Sequence, residues 1–121
     1  MSEKEAYDEH TAGKTLIAPS VLVTIARLTA LSIPGVAGMA PIPGGVDRIF
    51  RRGSGDGVRI DVENNSVSVD LFLILCNGVN VREVGRKVQA AVARAIEEMV
   101  GMSAARVDIH IEDIAFEKQD D

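Results

Sequence analysis

The run "VRIDVENNSVSVDLFLILC", Val58 to Cys76, most constrains what this chain can become. Val58, Ile60 and Val62 alternate with Arg59, Asp61 and Glu63, the period of a strand with one dry face and one wet face. Asn64 and Asn65 both tolerate positive φ, so a tight hairpin turn is expected there. The return strand sends Val67, Val69, Leu71, Leu73 and Leu75 inward. Its outward set begins with Ser66, Ser68 and Asp70, then turns apolar at Phe72, Ile74 and Cys76. A hairpin alone is marginal in water, so other elements must cover its dry face.

Two helices are available for that. "NGVNVREVGRKVQAAVARAIEEMVG" predicts an amphipathic helix from about Val81 to Val100, with Asn80 as its cap and Glu83 three residues on. Val81, Val84, Val88, Val92, Ala95, Ile96 and Met99 make its buried stripe, and Gly101 closes it. The second helix starts at Pro19, whose fixed φ suits a first helical turn, and stops at "IPGV", Ile33 to Val36. Val21, Leu22, Ile25, Leu28 and Ile33 are expected to form its core face. Its back is nearly as oily: between Ser20 and Ile33 the only formal charge is Arg27, accompanied there by Val23, Ala30 and Leu31.

Short strands are expected at Gly13–Ala18 and Val36–Ala40, and a final one in "RVDIHIEDIAF". In the last, Val107, Ile109 and Ile111 face inward, Asp108, His110 and Glu112 outward, and the phase slips at Ile114 and Phe116 as a bulge would cause. The predicted order is β-α-β-β-β-α-β: an α+β domain of two layers, with both helices on one face of a mixed sheet. The domain runs from 13 to 116, between a polar tail over 1–12 and an acidic tail over 117–121. Within it, residues 41–57 form a loop rich in glycine and arginine, ordered at most as a turn or two of helix around Val46–Arg52.

Composition excludes several classes of function. The net charge of −5 repels phosphate backbones, and a chain with no Trp, one Tyr and three Phe offers few platforms for stacking bases. The single cysteine, Cys76, cannot make an internal disulfide, and "MSEKEAYDEHTAG" lacks the apolar segment of a signal peptide, so a cytoplasmic protein is expected. No His, Cys and Asp cluster has metal-ligand spacing, and no glycine-rich motif cradles phosphate. His110, between Asp108 and Glu112, is the one well-placed imidazole; it reads as a solvated strand residue rather than a base, and Cys76 as packing rather than its nucleophile. No catalytic residue, metal or cofactor is nominated.

Two surfaces remain unfinished. One is the back of the first helix, Val23, Arg27 and Leu31; the other is the apolar end of the wet sheet face, Phe72 and Ile74. Both are candidates for contact with copies of the chain or with another protein. Arg48, Arg51, Arg52 and Arg86 make a basic patch that suits an acidic partner, anionic lipid or, as an alternative function, nucleic acid.

From end to end the chain resembles the alkaline shock protein family, also described as the envelope stress response family of bacterial cytoplasmic proteins. The resemblance is carried by "GKTLIAPSVLVTIARLTALSIPGVAGM", the "VRIDVENNSVSVDLFLIL" hairpin, the helix with "VREVGRKVQAAV" and the closing "VDIHIEDIAF". It covers about Gly13 to Phe116, and no single motif in it is catalytic. Asp113 departs from it, standing where the family often has glycine, and the loop is unusually arginine-rich. The resemblance implies a non-enzymatic cytoplasmic protein of cell-envelope homeostasis. It also implies self-association into a homo-oligomer and recruitment to the inner face of the membrane by a small membrane protein.

Overall fold

The computed structural model describes residues 15–43, the backbone of 52–55, and 57–116. Along the chain these form α1 (Pro19–Leu31), β1 (Val36–Met39), β2 (Arg52–Gly55), β3 (Val58–Glu63) and β4 (Ser66–Cys76). There follow α2 (Val81–Ala95), a π-helical turn (Ile96–Val100) and β5 (Ser103–Ala115). The expected tails, and much of the loop over 41–57, fall outside the described residues.

The hairpin forms as the alternation requires. Glu63 pairs with Ser66 across a two-residue turn in which Asn64 takes a φ of 59°. β4 is the centre of the sheet. One of its edges carries β5, parallel to it along the whole strand. The other carries two strands in tandem: β3 runs antiparallel opposite residues 66–71, then β1 antiparallel opposite 73–75. β2 extends the sheet beyond β3.

Phe72 sits at the changeover between those two partners. Its N–H donates to the Gly57 carbonyl and its carbonyl accepts from the Ala40 N–H, each at 2.8 Å. The chain can pass here only because Gly57 has no side chain: its φ is +77°, and a Cβ would lie 2.6 Å from the Ala40 oxygen.

Both helices lie against the dry face, so the sheet is mixed and the layers are two, as expected. α1 packs on α2 and on β1, β2 and β3; α2 packs on β5. The five inward residues of β4 are all fully buried, with Val58, Ile60, Leu22, Val88, Val92 and Ile96 around them. Asn80 caps α2 by accepting the Glu83 N–H at 2.9 Å, and Gly101, at φ 80°, ends the helical run.

The differences from the expected fold have physical causes. Thr15–Ala18 lies in no strand and Leu16 is exposed, because this stretch leads straight into α1, which packs over the sheet face rather than along its edge; Gly13 and Lys14 lie outside the described residues. β2 is an extra strand, held by backbone pairing with β3, and its "RGSG" sequence carries no apolar alternation to betray it. Arg52 opens that strand, so the expected short helix does not reach it; residues 46–51 lie outside the described set. The π turn at the end of α2 widens the last turn, which carries Met99 out to solvent and lets Val100 pack on the core. Val81, also expected inside, is exposed at the very start of α2. In β5 the phase slip is present: Leu73 faces Ile111 and Ile74 faces Asp113, which leaves Glu112 as the extra residue.

Candidate functional site

The face of α1 turned to the core differs from the one the wheel suggests. Leu22, Ala26 and Ala30 are fully buried, and Val23 and Ile33 pack against the same cluster. Val21 and Leu28, expected inside, are 45% and 55% exposed; Leu31, expected outside, is 38% exposed. Val23 is therefore a packing residue. Arg27 is half-buried on the flank between the two faces.

What α1 leaves in solvent is an ordered stripe. Val21, Thr24, Leu28 and Leu31 stand three, four and three residues apart, the spacing of a seam that another helix fills. The Thr24 hydroxyl donates to the Ser20 carbonyl at 3.1 Å, so it is satisfied within its own helix. Just before the helix, Leu16 and Ile17 are also exposed and extend the apolar surface.

The second expected contact patch is closed by its own neighbours. Phe72 points to the wet face of the sheet, yet it is only 4% exposed. The His110 ring stacks on it with centroids 4.4 Å apart and planes 11° from parallel, and the Arg59 guanidinium lies 5.4 Å from its ring centre. Asp70 ties the two covering groups together. Its carboxylate accepts from His110 Nε2 at 3.0 Å and stands 3.6 Å from Arg59 Nε. Three strands contribute: β3 brings Arg59, β4 brings Asp70 and Phe72, and β5 brings His110. Ile74 remains half-buried beside this polar cover.

The structural role of the cluster is open to test. Asp70→Ala should lower stability by about 1 kcal/mol, since charge-assisted hydrogen bonds are strong but His110 and Arg59 are partly in water. The same change should raise the reactivity or solvent accessibility of Phe72 in footprinting. Unchanged labelling of Phe72 would mean that His110 and Arg59 hold their places without Asp70.

Residues 7–116 match the alkaline shock protein family, which is described as having a cell envelope-related function. The chain belongs to this family. As a member, it is 29% identical to the uncharacterized protein YqhY of Bacillus subtilis (strain 168), over 94% of this chain and 86% of that one. It is 30% identical to the uncharacterized protein Spy1535 of Streptococcus pyogenes serotype M6, over 88% of this chain and 82% of that one. Two solved structures of MamM CTD variants have a similar fold, each with a TM-score of 0.56 over 78% of this chain. They cover 93% and 95% of those chains at 16% and 18% identity, so the likeness is one of fold.

The remaining candidate chemistry of this alkaline shock family chain is sparse. Cys76 faces Ala115 in the sheet while His110 faces Phe72, four residues back along β4, a separation of about 13 Å that rules out a nucleophile pair. Among the described residues no group of three or more His, Cys, Asp or Glu could hold a metal ion. Arg86 is exposed on α2 beside Arg82 and Lys87. Arg52 lies opposite Asp61 in the backbone register, but its side chain, like Arg48 and Arg51, lies outside the described residues.

The Arg59–Asp70–His110 group is the arrangement that the sequence reading passed over. Half of its signal was present. A two-residue turn between Glu63 and Ser66 already sets Arg59 opposite Asp70; nothing local says which strand supplies the histidine.

Proposed function

We propose that this alkaline shock family chain is a non-catalytic interaction protein of cell-envelope upkeep. It associates with itself and is held at the inner face of the cell membrane by a membrane-anchored partner. The observation that carries this reading is the stripe on α1. Single exposed hydrophobic residues are ordinary. A charge-free row of Val21, Thr24, Leu28 and Leu31 at heptad spacing is not, because it repeats along the helix where a second helix would lie. The partner contributes the membrane crossing; among the described residues no helix is long and apolar enough to cross.

The test is the double variant Leu28→Glu with Leu31→Glu, expressed in the native host. Both side chains are exposed, so the melting midpoint is expected to move by only a few degrees, in keeping with the small cost of surface changes, about 0.5 kcal/mol each. Retention in the membrane fraction is expected to be lost. Retention equal to that of the unaltered chain would remove α1 as the docking surface.

A further inference from the structure

We infer that the chain forms a two-fold dimer by pairing β5 with β5 of a second copy, antiparallel, with the symmetry axis at Ile109. This deepens the proposed self-association, on which it rests, and gives it a surface distinct from α1. Among the described residues β5 pairs with β4 alone; along its other edge, over a strand that runs from Ser103 to Ala115, it meets no strand, and the Gln89 amide sits on the Val107 carbonyl. An unpaired edge offers alternate N–H and C=O groups to any strand that can approach. Proteins that must keep such an edge free blunt it with proline, charged side chains, β-bulges or a covering element. β5 has no proline, its two bulges leave residues 106–111 regular between them, and its outward residues alternate in kind: Arg106, Asp108, His110 and, at the second bulge, Glu112.

That alternation selects a partner and a register. A second copy brings the same order reversed. With the axis at Ile109, Asp108 of one copy faces His110 of the other, and Arg106 comes beside Glu112 at the bulge, twice each by symmetry. Within one chain Arg106 already holds Asp108 at 2.9 Å and His110 meets Asp70 at 3.0 Å, so the pairing continues a row of complementary polar side chains across the junction. On the dry side Ile109 meets itself and Val107 meets Ile111; Ile109 and Ile111 are only partly buried, while Val107 belongs to the core. Shifting the axis to His110 sets Asp108 against Glu112, and shifting it to Asp108 sets that carboxylate against its own copy; like charges directly opposite are unfavourable. A slip of one residue in pairing would put the dry face of one copy against the wet face of the other.

A separate observation points to the same axis. Gly85 lies inside α2, where alanine is the better helix former. Among the described residues nothing calls for glycine there: a Cβ would meet only the Ile109 side chain, at an ordinary 3.9 Å. The missing methyl lies over the residue on the proposed axis, where two α2 helices related by that axis come nearest. The row of α2 that follows β5 continues with Gln89 and Ala93, so it is uncharged at the junction; Gln89 donates to the Val107 carbonyl at 2.8 Å and must share or release that acceptor when the second copy pairs.

The experiment is sedimentation of the full chain across a concentration series, with circular dichroism as the folding control. A dimer is expected. Arg106→Glu should weaken it about tenfold, because two attractive cross-strand pairs become repulsive. Adding Glu112→Arg to that variant should restore it. Gly85→Leu should leave the chain folded and the dimer weakened. A monomer at every concentration, or a dimer indifferent to the single reversal, overturns the inference. So does a dimer that Leu28→Glu disrupts and Arg106→Glu does not, an outcome that leaves the proposed function standing. A dimer that obeys the charge exchange in a chain never found with the membrane upholds the edge pairing and removes the envelope role.

Discussion

Gly57→Ala is expected to cost about 3 kcal/mol or more, a large share of the roughly 5–15 kcal/mol that holds an ordinary domain together. Two effects add. The backbone φ of +77° is one that a residue with a Cβ adopts at a cost of about 1–2 kcal/mol. The new methyl would also stand 2.6 Å from the Ala40 carbonyl oxygen and 2.9 Å from that of Phe72. These are backbone atoms in the sheet and cannot swing aside. Relief must come from opening the hydrogen bond between the Ala40 N–H and Phe72, where β4 changes partner from β3 to β1. Gly78 is the matched control: its φ is +92°, but a Cβ there meets nothing within 4 Å. Gly78→Ala should cost about 1 kcal/mol, the backbone part alone. Urea unfolding of the two variants separates the contributions, and equal losses would refute the steric one.

Leu73→Ala is expected to cost about 2–5 kcal/mol, the range for removing a buried leucine and leaving a cavity. Leu73 is fully buried near the centre of the sheet, with Met39 beside it on β1 and Ile111 on β5. All three strands meet at this level, so the surrounding backbone cannot collapse inward without breaking a ladder. The denaturation midpoint should fall with little change in slope. A loss below about 1 kcal/mol would mean that neighbouring side chains refill the space.

How much of this was legible depended on whether a residue's surroundings are local. The hairpin, the Asn80 cap, the closing Gly101 and the slip in β5 follow from spacing within a few residues, and all are present. The direction of α1 was not legible, because a helix whose only charge is Arg27 has no polar face to set the wheel. The structure turns the small residues Ala26 and Ala30 inward, which lets the helix approach α2 and the sheet closely, and leaves larger ones outside. Volume decided where hydrophobicity was silent. Phe72 misled for a related reason. Its own strand shows an aromatic residue on the wet face, whereas the residues that cover it come from β3 and from β5, the latter brought alongside only by the parallel crossover.

The central place of β4 also bears on how the chain is made. β3 reaches it through a two-residue turn, on the microsecond scale of hairpin formation. β1 is already synthesised by then, so one edge of β4 can be filled at once. The other edge waits for β5, which follows α2 in the chain and leaves the ribosome a few seconds later at about 5–20 residues per second. For that interval the nascent protein presents its most apolar strand with an open side. Crowded polysomes hold many such chains close together, so the arrival of residues 103–115 is the step at which correct folding competes with sticking to a neighbour.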